Sequence, residues 1–240
     1  MPVSVVMTVH NGHRFLRAQV ESILSQLEAD DELVVVDDAS TDDSVELLTS
    51  LNSSQIRIFQ NTENLGVIRS FERGLRLARE EFIFLSDQDD VWLPGKRSAF
   101  VAQFEHDRST LVVISDAEVI NSEGNVIEKS FMAVRHGFKG GLVATLWRNC
   151  YLGCAMAVRR SLLSVALPIP RGVPMQDMWL GLIGQLEGGV VYLRTPYLQY
   201  RRHDKNVTPL YSQLRWRNMI RWRLGLLTAL TQRMWASRSR

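Results

Sequence analysis

The chain of 240 residues is 45% hydrophobic and 22% charged, ordinary values for a globular protein able to bury one large core or two small ones. Its net charge of +2 hides a division: residues 205–240 hold Lys205 and seven Arg with no Asp or Glu, while the remainder carries 20 basic against 26 acidic side chains. Two cysteines, Cys150 and Cys154, exclude a disulfide scaffold and point to a reducing compartment, and no run approaches the roughly 20 apolar residues that span a bilayer.

The first ninety residues alternate between two periods. Val3–Val9 reads as a buried strand; it lacks a basic leader and a cleavage site, so a cytoplasmic protein without a signal peptide is expected. A helix from about His13 to Leu27 follows, with Phe15, Leu16, Val20, Ile23, Leu24 and Leu27 on one side. Leu33–Val36 is a second strand, and Ser40-Thr41-Asp42-Asp43 can cap the helix carrying Val45, Leu47, Leu48 and Leu51. Ile56–Phe59 is a third strand, Val67–Arg79 a helix, and residues 81–85 a fourth strand. This β-α-β-α-β-α-β order implies an α/β protein with a mainly parallel sheet covered by helices.

The second half is less regular. Lys96–Asp107 reads as a helix, Leu111–Ser115 as a strand and Asn121-Ser122-Glu123-Gly124-Asn125 as a hairpin turn. Glu128–Gly141 reads as a mobile loop, Cys154–Val158 as a returning strand, Met175–Leu186 as a helix and Tyr192–Tyr200 as one or two short strands. The simplest division is one mixed α/β domain, residues 1–208, and a C-terminal extension, 209–240.

Polar residues end the strong strands: Thr8-Val9-His10-Asn11-Gly12, Asp37-Asp38-Ala39-Ser40 and Asp87-Gln88-Asp89-Asp90. In a parallel sheet these ends converge on the rim where open α/β sheets bind ligands. Three carboxylates in one tetrad raise each other's pKa unless a cation or hydrogen-bond donors offset the repulsion. A divalent cation shared with a substrate diphosphate meets that need; an acidic turn capping the helix near Lys96 is the plainer alternative. Neither G-x-G-x-x-G nor G-x-x-x-x-G-K-[ST] occurs where a dinucleotide oxidoreductase or a P-loop NTPase requires it. Cys150 and Cys154 are not spaced as C-x-x-C and have no nearby His, which argues against a metal or redox pair.

The blocks "VSVVMTVHNG", "ELVVVDDASTDDS" (32–44), "NLGVIRSFERGL" (64–75) and "FLSDQDDVWLPGK" (84–96) resemble, in order and spacing, glycosyltransferase family 2, whose members have the GT-A fold and invert the anomeric centre. The segments 149–163, 176–180 and 200–208 are similar to the branch that includes bacterial rhamnosyltransferases. The resemblance implies a nucleotide-sugar-binding half (1–96), an acceptor-binding half (97–208), a nucleotide-sugar donor, a saccharide or lipid-linked acceptor, and Mg²⁺ or Mn²⁺ as cofactor. Carried over position by position, it puts Thr8 and His10 at the base and ribose, and Asp38 on the pyrimidine ring with Asp37 in support. Arg69 falls at the diphosphate or base, Asp87 at the ribose or metal, and Asp89 at the metal, with Asp90 bracing the turn. His203 is a candidate for the metal shell or the diphosphate. Asp177 is the candidate general base, its plainer alternative being a helix N-cap.

In the extension, Leu214, Trp216, Met219, Ile220, Leu224, Leu227, Leu230 and Met234 recur near helical spacing among five arginines. A cationic amphipathic helix of this kind suits the inner face of a cell membrane. It could equally dock on the acidic body or on a second copy as a homodimer; nucleic acid is not an expected partner. Two rival classes are open at this point. A nucleotidyltransferase would carry a glycine-rich basic loop after the first strand, where this chain has His10-Asn11-Gly12-His13. A non-catalytic scaffold would have no need of Asp38, Asp89 and Asp177.

Overall fold

The structure, a computed structural model, describes residues 1–135, 137–141, 144–145, 149–204, 206, 223, 225–231 and 233. Its strands are β1 (Val3–Val9), β2 (Glu32–Asp37), β3 (Ile56–Gln60), β4 (Phe82–Ser86), β5 (Val91–Trp92), β6 (Thr110–Ile120), β7 (Val126–Glu128), β8 (Met156–Arg159) and β9 (Gly189–Arg201). The α-helices are α1 (His13–Leu24), α2 (Ser44–Ser50), α3 (Val67–Leu77), α4 (Lys96–His106), the single turns α5 (Phe131–Val134) and α6 (Leu163–Ala166), and α7 (Gln176–Glu187).

All nine strands join one sheet in the order β3-β2-β1-β4-β8-β6-β9-β5, with β7 paired to β6. Strands β1 to β4 run parallel, β8 is antiparallel between β4 and β6, β9 is parallel to β6, and β5 closes the row antiparallel to β9. The mainly parallel α/β sheet expected from the sequence is therefore present. Strands β1, β2 and β4 are wholly buried, as unbroken Val/Ile/Leu/Phe runs require when helices cover both faces. Helix α3 presses so closely on this sheet that a Cβ on Gly74 would lie 2.4 Å from Val6 Cγ1.

The irregular half differs from its sequence reading. The strand expected over Leu111–Ser115 runs on to Ile120, and the short strands expected over Tyr192–Tyr200 are one 13-residue strand with register shifts against β6. The loop expected over Glu128–Gly141 contains the end of β7 and the turn α5. Strand β5 has no period to reveal it, since it is two residues long. Trp92 on β5 packs on Phe84, which also meets Phe100 of α4.

Part of the C-terminal extension packs on this body. Residues 225–231 are helical, and they bury Leu226, Ala229 and Leu230 in the hydrophobic core while leaving Leu227 exposed. Arg233 donates to the carbonyls of Leu167 (3.1 Å) and Pro168 (2.7 Å). Docking on the body is one of the destinations open from sequence. The stripe positions Leu214, Trp216, Met219, Ile220, Leu224 and Met234 lie outside the described residues. No helix among the described residues is long and apolar enough to cross a membrane.

Candidate active site

The register puts Val9 beside Asp37 and Met7 beside Ser86, so β1, β2 and β4 end at one level. The segments leaving these strand ends gather around a cleft of about 680 Å³ lined by Thr8, His10, Asp38, Asp87, Asp89 and His203, with Arg14, Asn64, Gln176, Tyr200 and Asn206 among its other walls. Six of the sequence-derived candidates thus share one cavity. Asp37, Arg69 and Asp177 are not among its lining residues.

On the β2 side, Asp38 is a hub. Its carboxylate accepts from Asn61 Nδ2 (2.6 Å) and from the backbone N–H groups of Leu65 (2.8 Å) and Gly66 (2.9 Å). Burial alone would raise its pKa, but these donors and Ser70 outweigh burial and hold the carboxyl below its usual range. Asp37 points away: Oδ2 accepts from Ser40 N at 3.1 Å, and buried Oδ1 has no hydrogen-bond partner among the described residues. Arg69 is turned toward Glu72 Oε2 (2.6 Å) and the carbonyl of Ile169 (2.9 Å).

His10 is fixed from two sides. Gln88 reaches across from the acidic turn, accepting from His10 N (2.8 Å) and donating to its carbonyl (3.1 Å). The His10 ring sets Nδ1 2.8 Å from the Asp38 carbonyl, so Nδ1 is the donor and Nε2 is left as acceptor for Asn64 Nδ2 at 3.2 Å. Sequence reasoning assigns no role to Gln88 or Asn61. Their neighbourhood in the motifs is the only signal that could have found them.

The acidic turn resolves into distinct parts. Asp89 Oδ2 lies 2.8 Å from His203 Nε2 and 3.4 Å from Asn206 Nδ2, which ties the turn to the segment after β9. Asp90, fully buried, accepts from Arg201 N at 2.9 Å through Oδ1, while Oδ2 has no hydrogen-bond partner among the described residues. Asp87, Asp90 and Cys154 can bring a ligand atom each within 4.8 Å of one another. Burial first, then the charges of Asp89 and Asp177, push the Asp87 carboxyl up to about 7. Burial and the charges of Asp89 and Asp87 raise Asp90 well above the usual range. The turn does not cap α4, whose N-cap is Gly95 in the left-handed conformation, without a side-chain cap bond.

Such a donor set suits a hard divalent cation: crowded carboxylate oxygens, one of them buried without a partner, next to an imidazole. Cys154, whose spacing argues against a metal pair, nevertheless stands beside the cluster. Burial and the charges of Asp90 and Asp87 raise its thiol far above its ordinary value.

Asp177 is the second residue of α7, not its N-cap, which is Met175. Its oxygens accept from Met178 N (2.5 Å) and Gly153 N (3.1 Å). With 4% of its surface exposed, it sits behind the cleft wall formed by Met175 and Gln176. Burial raises its carboxyl to about 6, against those hydrogen bonds. Its charge is one of those acting on Asp87, which marks the two as electrostatic neighbours.

The chain is 28% identical over 156 residues to the UDP-Glc:alpha-D-GlcNAc-diphosphoundecaprenol beta-1,3-glucosyltransferase WfgD of Escherichia coli, covering 65% of this chain and 59% of that one. It is 31% identical over 134 residues to the glycosyltransferase alr2836 of Nostoc sp., covering 54% of this chain and 41% of that one. The chain therefore spans less than two thirds of the length of these relatives. Crystallised S. aureus TarS 1-349 in complex with UDP-GlcNAc has the same GT-A fold, with a TM-score of 0.69 at 18% identity over 86% of this chain and 60% of that one. Residues 4–166 match the family model described as Glycosyl transferase family 2, and the chain belongs to that family.

Proposed function

We propose that this protein transfers a sugar, with inversion, from a UDP- or dTDP-sugar, dTDP-rhamnose being one candidate, to a saccharide or lipid-linked acceptor in bacterial surface polysaccharide synthesis. The observation that carries this reading is the placement of Asp87 and Asp89 in one cleft with Asp38.

In this reading Asp38 and His10 hold the base and Thr8 the ribose. Asp89 and Asp87, with His203 beside them, would hold Mg²⁺ or Mn²⁺, which when bound supplies positive charge to the diphosphate leaving group. The acceptor oxygen forms its bond to the anomeric carbon as the bond to the diphosphate oxygen breaks and that oxygen keeps the electron pair. Asp177 takes the acceptor's proton; a carboxyl raised to about 6 is ionised at neutral pH yet basic enough for the task.

The test is a mass-spectrometric screen of purified protein against UDP-, dTDP- and GDP-sugars with Mn²⁺ or Mg²⁺ and saccharide acceptors. Release of nucleoside diphosphate together with a glycosylated acceptor supports the reading. Release of pyrophosphate from a nucleoside triphosphate would instead indicate a nucleotidyltransferase.

A further inference from the structure

Helix α1 presents two stripes to the body of the protein. One is apolar and buried, formed by Leu16, Val20 and Ile23. The other is polar, formed by Gln19 and Ser22 three residues apart and continued just past the helix end by Gln26. Gln19 is fully buried, and its Nε2 donates to Ser86 Oγ (2.7 Å) and to the carbonyl of Asp87 (3.0 Å). Ser22 Oγ accepts from Trp92 N (2.9 Å) and donates to the carbonyl of Gln19 (2.7 Å). Gln26 Nε2 donates to the carbonyl of Leu93 (3.1 Å), and its Oε1 accepts from Lys96 N (3.0 Å).

The stripe therefore grips residues 86 and 87 at one end of the acidic turn and residues 92, 93 and 96 at the other. This segment holds Asp87, Asp89 and Asp90, whose crowded carboxylates repel one another and favour opening of the turn. A buried primary amide is costly unless its hydrogen bonds are made. An apolar side chain would fill the same space on α1 without that cost, yet could not hold the turn.

We propose that Gln19, Ser22 and Gln26 are positioning residues that fix the acidic turn so that Asp87 and Asp89 face the cleft. They act through the backbone of residues 86–96 and touch neither donor nor cation. The link to transfer rests on the reading of the cleft as a nucleotide-sugar site; the grip on the turn does not.

Hydrogen exchange followed by mass spectrometry on the full chain tests the grip. In Gln19→Met and Ser22→Ala, exchange across residues 86–96 should quicken by about tenfold or more, while the amides of β1 and β2 keep their protection. Ser22→Thr, which retains the hydroxyl, should exchange like the parent. Ile23→Val, on the apolar stripe of the same helix, should lower Tm without a selective effect on residues 86–96. Binding of UDP in the presence of Mn²⁺ should weaken by about tenfold in Ser22→Ala and recover in Ser22→Thr. Unchanged exchange of residues 86–96 in both Gln19→Met and Ser22→Ala would overturn the inference, as would an equal rise in Ile23→Val. Selective quickening in a protein whose parent binds no UDP would uphold the grip and sink the nucleotide-sugar reading instead.

Discussion

His203 Nε2 meets Asp89 Oδ2 at 2.8 Å across 114 residues of sequence, joining the turn after β4 to the segment after β9. The pair closes one side of the cleft, and Asn206 reaches the same carboxylate oxygen. If Asp89 binds the cation and His203 supports it, removing either should act mainly on donor binding. Asp89→Asn and His203→Ala should each weaken Mn²⁺-dependent binding of UDP by about 10- to 100-fold. Isothermal titration with and without Mn²⁺ measures this; equal affinity in parent and variants would place the cation elsewhere.

Asp177 should give the opposite signature. Asp177→Asn keeps the shape and a hydrogen-bond acceptor for Gly153 N but no longer takes a proton. Transfer should fall by about 10²- to 10⁴-fold, with UDP binding nearly unchanged. Because burial raises this carboxyl to about 6, the base is lost by protonation as pH falls through that value. The rate in the parent should therefore drop below about pH 6 and level off above it. A kcat profile flat from about pH 5 to 8, or full turnover in Asp177→Asn, would remove Asp177 from the role.

The parts of this site legible in sequence are those whose signal is local. Val34-Val35-Val36 and Phe82-Ile83-Phe84-Leu85 can only be buried strands, and polar residues directly after such runs fall on the rim of a parallel sheet. Thr8, Asp38, Asp87 and Asp89 follow from that. Gln19, Ser22 and Gln26 do not, because on a helical wheel they pass for a solvated face until the turn they hold is in view. Arg69, expected at the diphosphate or base, has its guanidinium paired with Glu72 three residues on within the same helix, a contact its place in the motif does not reveal. The full length of β9 is hidden by Arg194-Thr195-Pro196, which break the apolar pattern where the strand shifts register against β6.

Glu32 should set part of the acid stability of the fold. It accepts from Ser4 Oγ (2.6 Å), Arg57 Nη1 (2.5 Å) and Arg79 N (2.7 Å), stitching β1, β2, β3 and the end of α3. Burial by itself raises this carboxyl, but these bonds outweigh burial and hold it below its ordinary 4.5. A depressed folded pKa stabilises above the unfolded value and ceases to do so as pH falls through the folded one. Urea unfolding should thus show Glu32→Gln less stable by about 1–3 kcal/mol at neutral pH, with the gap narrowing below pH 4.5. A gap independent of pH would mean that packing, not charge, explains the loss.

The helical stretch 225–231 offers a separate choice between docking and membrane attachment. Leu226 is fully buried, and a Cβ on Gly225 would come within 3.0 Å of the Gly172 carbonyl, so helix and body are in close contact. If this contact persists in solution, Leu226→Ala should cost about 2–5 kcal/mol in urea unfolding, as for other buried leucines. The cationic segment before it can still meet anionic lipid, and liposome flotation of the parent against a chain truncated after Pro209 measures that. Docking predicts a large loss of stability in Leu226→Ala with liposome binding unchanged. Loss of flotation in Leu226→Ala without loss of stability would mean instead that this leucine faces the bilayer and that the packed arrangement is not the one the protein keeps at a membrane.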